Sequence, residues 1–303
     1  MPPRLPPQAD LPLLRQRLLA WHRRRAQEAP WRTSGDPYHV LVAAVMAQQT
    51  QMSRVLPKYD EFIAAFPAVE ALARASTADV LRRWAPLGYN MRALRLHRAA
   101  QQVARAGAFP RTAAELQRIE GVGPFTAAII ASFAFGEPVA AIDTNVQRVV
   151  GRLLGDERLS GRTLQQAANA LLARKASGRW NQAMMDLGAT ICTARSPRCE
   201  SCPLARWCRS RRRFAARPAQ RVAEAKAAYQ PGTPFKGSRR YYRGRIVQAL
   251  RDLRPGASLT PAQLLADLPE RGSLDQRGLN ELLAALERDG LIRRTPRNRL
   301  RLP

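Results

Sequence analysis

The sequence predicts an all-α fold, because apolar residues recur at helical spacing through most of its length and strand-like runs are nearly absent before its end. After a proline-rich leader at residues 1–10, Leu11, Leu14 and Leu18 share one helical face. Similar patterns cover residues 40–47, 55–66, 78–84, 92–104 and 113–119. Alanine-rich stretches at 127–134 and 164–172 favour close helix packing, and glycine or proline marks the joins between segments.

The amino-acid composition changes after residue 210. Residues 211–238 are rich in Arg, Ala, Pro and Gly and predict a basic linker. Three further helices follow, the second with Thr260 as N-cap and Pro261 in its first turn. Two arginine-rich strands around Pro296 then close the chain, so residues 239–303 predict a small winged-helix-like domain. Such a domain suits DNA contact or protein docking, and its arginines favour DNA.

Charge narrows the choice of partner. The chain of 303 residues has 50 Lys+Arg against 23 Asp+Glu, a formal net charge of +27. A polyanion such as nucleic acid is therefore the expected partner. A membrane is not expected, because no apolar run is long enough to span one and the arginines are spread along the whole chain. Since no signal peptide is visible, we expect a cytoplasmic protein. We also expect it to be nucleoid-associated and monomeric.

Four cysteines, the only ones in the chain, form a C-x6-C-x2-C-x5-C run at Cys192, Cys199, Cys202 and Cys208. Four closely spaced thiolates suit either a [4Fe–4S] cluster or a tetrahedral zinc ion. Zinc sites favour paired C-x2-C elements, and only the middle pair has that spacing. Two disulfides would need an oxidising compartment. The run therefore favours an iron–sulfur cluster, with zinc and disulfides as alternatives.

A second motif combines a glycine turn with an isolated acid. Residues 116–131 predict two helices joined by Gly121-Val122-Gly123. Glycine permits positive φ and close backbone approach, so turn amides and the second helix's N-terminus can meet a phosphate. The same turn also occurs in plain helical hairpins. Asp143 follows at the end of an apolar run, where an aspartate usually caps a helix.

Together these motifs resemble the helix-hairpin-helix DNA glycosylases, in particular the endonuclease III and A/G-mismatch adenine glycosylase group. The resemblance covers roughly residues 11–210. It rests on the order and spacing of Pro30-Trp-Arg, Asp36-Pro-Tyr, Val45-Met-Ala-Gln-Gln-Thr-Gln, Leu87-Gly-Tyr-Asn, Ile119-Glu-Gly-Val-Gly, Ile142-Asp-Thr-Asn and the four cysteines. It implies a two-lobed fold: a six-helix barrel with the hairpin at 31–140, and a cluster lobe at 11–30 and 141–210.

The resemblance also implies roles for individual residues. Asp143 is the expected catalytic acid, because a carboxylate can stabilise the sugar cation that develops when an N-glycosidic bond breaks. Gln48, together with Gln49 and a wedge near Tyr89-Asn90, is expected to fill the gap that a flipped base leaves in the duplex. The expected DNA contacts are Gly121, Val122, Gly123, Thr126, Arg195 and Arg198. A monovalent cation is a further candidate ligand of the hairpin.

Two departures bear on the reaction. Where bifunctional endonuclease III enzymes carry a Schiff-base lysine, this chain has Phe125, so no strand cleavage through that residue is expected. Where adenine glycosylases carry Ser-Glu, it has Ala43-Ala44, so the acid that protonates adenine is missing. Ala44 and Phe125 are expected to line the base pocket.

We therefore expect a monofunctional base-excision glycosylase acting on damaged or mismatched double-stranded DNA, with a pyrimidine favoured. One alternative is a non-catalytic protein of the same fold that binds lesions. The other is an adenine glycosylase acting opposite guanine or oxoguanine with an atypical acid, of which Glu120 is nearest in sequence.

Overall fold

The computed structural model describes residues 5–24, 29–215, 235–268 and 274–303. In these ranges it has sixteen α-helices and one two-stranded sheet, which confirms the all-α class. The helices are α1 (Leu11–Arg23), α2 (Pro30–Thr33), α3 (Pro37–Ala47), α4 (Met52–Ala65), α5 (Val69–Arg74), α6 (Thr77–Trp84), α7 (Met91–Ala106), α8 (Ala113–Leu116), α9 (Pro124–Ala134), α10 (Thr144–Leu154), α11 (Gly161–Leu171), α12 (Ser177–Thr190), α13 (Arg211–Ala215), α14 (Arg239–Asp252), α15 (Pro261–Asp267) and α16 (Gln276–Arg288).

Local sequence signals account for where several helices begin and end. A capping box starts α8, in which the Thr112 hydroxyl accepts from the Glu115 amide and the Glu115 carboxylate accepts from the Thr112 amide. Gly107 ends α7 in the left-handed region, with φ of +77°, which glycine adopts without the penalty of a Cβ. Helix boundaries in this chain are therefore encoded locally, and packing decides how the helices group.

The chain divides into two compact units. The first unit comprises the described residues of Met1–Ala44 and Phe109–Ala227. Apolar faces of α1, α10, α11 and α12 form its core, where Leu14, Leu18 and Leu171 are fully buried and Trp180 is nearly so. Burying one such leucine side chain contributes about 2 kcal/mol to folding. These helices thus form a rigid support for the loops attached to them.

The contact between α10 and α12 is unusually close. A Cβ at Gly188 on α12 would lie 2.6 Å from the Cβ of Asn145 on α10, nearer than real atoms approach. Glycine is therefore required for this approach. The consequence is that polar side chains on α10 reach the backbone of α12 and of the loop that follows it.

Asp186 on α12 ties down the N-terminal helices of the first unit. Arg32 donates two hydrogen bonds to its carboxylate, each 2.8 Å long, and the His22 imidazole lies 3.2 Å from Oδ2. Burial opposes ionisation, but the hydrogen bonds and charges of these partners outweigh it and lower the pKa of the Asp186 carboxyl. Arg32, in the Pro30-Trp-Arg motif, is thus a structural anchor of α2.

The second unit comprises the described residues of Val45–Ala108 and Ala228–Pro303. Phe62 and Trp84 pack edge to face at its centre, with ring centroids 6.1 Å apart. The end of the chain belongs to the same unit, since the Ala78 amide at the start of α6 donates to the Pro303 carbonyl at 3.2 Å.

The C-terminal part matches the predicted winged-helix-like architecture. Thr260 caps α15 through a capping box with Gln263, as its position predicts. After α16, strands β1 (Arg293–Arg294) and β2 (Leu300–Arg301) pair antiparallel, and Leu259 adds a single bridge to Leu300. Three helices followed by a short basic ribbon is the expected order.

The predicted domain boundaries stay predictions. Of the predicted leader, residues 1–4 lie outside the described residues, whereas Leu5 packs on the first unit's core and Gln8–Asp10 forms a 3-10 turn. Of the predicted linker, residues 216–234 lie outside the described residues, and Arg211–Ala215 is helical. In the described parts of the chain, no helix has the length and apolar character needed to cross a bilayer.

Candidate functional site

The helix-hairpin-helix consists of α8, a tight turn and α9. Gly121 has φ of +78°, a conformation that a side chain would strain, and the Val122 amide donates to the Ile119 carbonyl at 3.1 Å. Gly121 and Gly123 are exposed, and α9 begins directly after them. The turn therefore presents glycine backbone and a helix N-terminus at the surface, which suits phosphate binding.

The other predicted hairpin residues differ in exposure. Val122 is 5% exposed and Thr126 is 3% exposed, so their side chains face the interior and leave little surface for DNA. Phe125, in the first turn of α9, is half-buried. On α3, Ala44 is half-buried while its neighbour Ala43 is buried. A hairpin cation and the lining of the base pocket stay predictions.

Asp143 caps α10 and holds a second hydrogen bond as well. Its Oδ1 accepts from the Val146 amide at 2.7 Å, which is the geometry of an N-cap. Its Oδ2 accepts from the Asn145 side-chain amide at 3.0 Å. Capping and catalysis are therefore compatible, because one oxygen anchors the carboxylate while the other is oriented by a neighbour.

A chain of hydrogen bonds runs from Asp143 to the cysteine loop. The Asn145 carbonyl oxygen accepts from Arg148 at 2.7 Å. Arg148 also donates to the backbone carbonyls of Gly188 and Cys192, both at 2.8 Å. The orientation of the Asp143 carboxylate is thus linked through two side chains to the first cysteine of the loop.

The four cysteines line one pocket of the first unit, and none is oxidised to a disulfide. Burial raises the pKa of the Cys202 thiol to about 12 and that of Cys208 to about 11, and the neighbouring cysteines add to both shifts. Thiols in such a site ionise readily only when a metal supplies compensating charge. In the described residues, no three His, Cys, Asp or Glu side chains are arranged to hold a single metal ion.

The surroundings of this pocket suit an anionic iron–sulfur cluster. Arg152 and Arg211 line it beside apolar groups such as Ile191 and Phe214. Arg152 is 4% exposed, lies 3.6 Å from Cys192 Sγ and donates to the Thr193 and Ala194 carbonyls at 2.7 and 2.9 Å. A cluster held by four thiolates is negative, so a buried guanidinium at its edge is favourable.

The loop between the first two cysteines exposes two arginines. Arg195 and Arg198 are both exposed, as a contact with DNA requires. Arg198 also donates to the Thr190 carbonyl at the end of α12, which fixes one side of its guanidinium. Their predicted contact with phosphate is compatible with these positions and stays a prediction.

The predicted gap-filling residues all belong to the second unit. Gln48 and Gln49 are exposed after the end of α3, and Gln49 has φ of +53°. Tyr89 is 52% exposed with φ of +48°, and Asn90 stands at the N-cap of α7. Arg92 contacts both the Gln48 segment and the Tyr89 segment. The sequence alone predicted no role for this residue.

Sequence reasoning missed Asn145, Arg148, Arg152 and Arg92. A signal existed for the first three, which recur at intervals of three and four and so share one face of α10. That pattern predicts a common face but not its partners. Arg92 left no signal, since its partners are backbone carbonyls up to 47 residues away.

A helix-hairpin-helix, an aspartate that caps the helix after it, and a four-cysteine loop bound to that helix through Arg148 together define a class of DNA-repair proteins. Residues 42–174 match the family model of the HhH-GPD superfamily base excision DNA repair protein. Residues 192–208 match that of the iron-sulfur binding domain of endonuclease III. The protein therefore has a [4Fe–4S] cluster, and the four cysteines as its individual ligands stay a prediction.

Known DNA glycosylases are similar to this protein over most of the chain. An adenine DNA glycosylase of Mycobacterium tuberculosis is 37% identical over 302 residues, covering 94% of this chain and 92% of that protein. One of Mycolicibacterium smegmatis is 38% identical over 297 residues, covering 94% of each. The solved structure of a thermostable thymine-DNA glycosylase matches with a TM-score of 0.64 and 26% identity, covering 68% of this chain and 98% of that one.

The chain belongs to the HhH-GPD superfamily of base excision DNA repair proteins, and within it to the endonuclease III and adenine glycosylase group. It is an enzyme of the DNA glycosylase class, and its substrate is DNA.

Proposed function

We propose that this enzyme hydrolyses the N-glycosidic bond of a base flipped out of double-stranded DNA, with Asp143 as the catalytic residue. The observation that carries the proposal is the fixed carboxylate of Asp143, with Oδ1 bound to the Val146 amide and Oδ2 to Asn145. A preorganised carboxylate stabilises the positive charge that develops on the deoxyribose and orients or deprotonates the attacking water. Both tasks need its position fixed before the reaction begins.

Release of the base is proposed to end the reaction without strand cleavage. Lyase chemistry needs an amine that attacks the sugar carbon and forms a Schiff base. Phe125 stands at the position where the related bifunctional enzymes have that lysine. Its half-buried ring can only pack against neighbours.

Adenine in a mismatch is the proposed substrate. The two mycobacterial relatives that match along 94% of the chain are named adenine DNA glycosylases. Their names support adenine as the substrate of this enzyme, in place of the pyrimidine expected from the sequence. This similarity includes the C-terminal part, so it is not limited to the shared repair fold.

The cost of this assignment lies at Ala44. General acid catalysis contributes about 10²–10⁴-fold, and a methyl group cannot protonate a leaving adenine. Glu120, the acid nearest to the hairpin in sequence, is exposed on the hairpin, which disfavours it as a substitute. Adenine release is therefore expected to be slow.

A pyrimidine substrate is the second candidate, and Ala44 is the observation that favours it. Uracil, mismatched thymine and oxidised thymine need less protonation to leave than adenine. The likeness to a thymine-DNA glycosylase is consistent with such a substrate.

The cytoplasmic, nucleoid-associated location and the monomeric state stay predictions from the sequence.

Single-turnover assays on a panel of duplexes test these proposals. The panel contains adenine opposite guanine or oxoguanine, and uracil, mismatched thymine and oxidised thymine. We expect slow adenine release by the wild type and release about tenfold or more faster in Ala44→Glu, which restores the acid. Ala47→Glu, one turn further along α3, is the matched control and should not accelerate it.

Release of pyrimidines alone would replace adenine with the second candidate. Tight binding of lesion duplexes without release of any base would favour the non-catalytic alternative.

A further inference from the structure

Arg92 is a buried cation without an acidic partner among the described residues. It lies in the first turn of α7 and is 7% exposed. Burial lowers the pKa of its guanidinium. A buried charge is costly unless it is hydrogen-bonded, and the two Nη groups of Arg92 donate to neutral acceptors in two separate chain segments, whereas its buried Nε has no hydrogen-bond partner.

The first segment is the end of α3 and the turn that follows it. Arg92 Nη1 donates to the carbonyls of Val45 and Met46, at 3.1 and 3.0 Å, and to that of Gln48. Its Nη2 lies 3.1 Å from Thr50 Oγ1. The last carbonyls of a helix have no intrahelical partner, so Arg92 supplies a cap for α3.

The second segment is the loop before α7. Arg92 Nη2 lies 3.4 and 3.5 Å from the carbonyls of Leu87 and Gly88, and the guanidinium lies over the rings of Trp84 and Tyr89 at 5.4 and 5.3 Å. Arg92 therefore holds this loop by weak hydrogen bonds and by cation–π contact.

Each segment contains a non-glycine residue in the left-handed region, Gln49 with φ of +53° and Tyr89 with φ of +48°. Such conformations are uncommon and persist only where surrounding contacts enforce them. In both segments the side chain predicted to enter the duplex is exposed, while the Gln48 carbonyl and the Gly88 carbonyl accept from the same guanidinium.

We propose that Arg92 is a positioning residue that fixes Gln48 and Tyr89 relative to each other, so that they enter the gap in the duplex as one preformed pair. The inference rests on the proposed function, in which a base leaves the stack and the gap is filled. Arginine suits this task because its planar fork serves acceptors on two sides at once, whereas a lysine ammonium is a single point.

Preference for a gap can be measured without turnover. The affinity for a duplex with a tetrahydrofuran abasic analogue is compared with that for the intact duplex, and 2-aminopurine beside the gap reports unstacking. We expect Arg92→Lys to lower the gap preference about tenfold, within the range for residues in direct contact, and to reduce the fluorescence change. Affinity for intact duplex should be retained.

Arg95→Met is the matched control, because Arg95 is exposed one turn along α7. Loss of its charge should weaken both duplexes equally. A purely structural role of Arg92 would instead lower thermal stability and both affinities together.

A double-mutant cycle decides whether Arg92 acts through the two side chains. In a Gln48→Ala, Tyr89→Ala background, Arg92→Lys should have no further effect on gap preference, whereas an additive effect would overturn the proposal. An unchanged gap preference in Arg92→Lys alone would also overturn it. Failure to release any base, with gap preference intact, would refute the proposed function and leave this inference standing.

Discussion

The side-chain amide of Asn145 lies 3.0 Å from Oδ2 of Asp143, and its carbonyl oxygen is held by Arg148. Asn145 therefore has one orientation, with its nitrogen toward the carboxylate. The Arg148 guanidinium is fixed in turn by carbonyls of α12 and of the cluster loop. The cluster loop and the Asp143 carboxylate are thereby joined by a continuous set of hydrogen bonds.

Asn145→Ala should lower base release about 10- to 100-fold, because the Asp143 carboxylate loses the group that orients it. The substitution keeps the Cβ that packs on Gly188, so the fold should persist. Single-turnover rates with the preferred substrate check this. Thr144→Ala, an exposed neighbour, is the control and should retain activity. Unchanged rates for Asn145→Ala would remove it from the site.

Wild-type protein should form no borohydride-trapped adduct with abasic DNA, because Phe125 offers no amine. Phe125→Lys should gain such an adduct, seen as a shifted band on a denaturing gel. Phe125→Met makes the same pocket change without a nucleophile and should not. Efficient trapping by the wild type would show that another amine acts as a lyase.

Purified protein should contain about four iron and four sulfide per chain, as a [4Fe–4S] cluster requires. Cys208→Ser should lose most of the iron and lower the melting temperature, because a ligand is removed and the loop is no longer tied together. Ser201→Ala, next to a ligand, is the control and should keep the cluster. Stoichiometric zinc without iron in anaerobically prepared protein would contradict the assignment.

Asp186→Asn should destabilise the first unit by about 3 kcal/mol at pH 7, since it leaves Arg32 without its carboxylate. The lowered pKa of Asp186 stabilises the ionised form in the folded protein. Its contribution is therefore complete above the pKa of the unfolded chain, about 3.9, and is lost as pH falls below it.

Melting temperatures of wild type and variant should accordingly converge on acidification from pH 7 toward pH 3. Asp60→Asn, an exposed acid, serves as the control and should show little difference at any pH. A gap that stays constant with pH would mean that the Asp186 carboxylate does not act through its charge.

Much of the fold could be predicted because its signals are local. Helical periodicity, the Thr260 capping box and the glycine turn at Gly121 depend on residues close in sequence, and the structure confirms them. The iron–sulfur cluster could be predicted from the cysteine spacing in the same way, because all four cysteines lie close together in sequence. These features need no knowledge of tertiary packing.

The hydrogen bonds that hold the candidate site together could not be predicted, because they join residues that are far apart in sequence. Arg92 and Arg148 bond to backbone carbonyls more than 40 residues away, and any residue can supply a carbonyl. Thr126 was expected to contact DNA from the hairpin, yet it lies on the buried face of α9. The left-handed conformation of Tyr89 is equally invisible, because it depends on contacts and not on residue type.

The most direct test of the account is base release by Asp143→Asn, measured in single turnover beside DNA affinity and melting temperature. Asparagine caps a helix as well as aspartate does, so α10 should begin as before. We predict a loss of base release of about 10²–10⁴-fold with DNA affinity unchanged or tighter, because the carboxylate acts on charge present only in the transition state. Asp156→Asn, an exposed acid after α10, should remain active. Full activity of Asp143→Asn would show that the aspartate only caps the helix and would contradict the catalytic assignment.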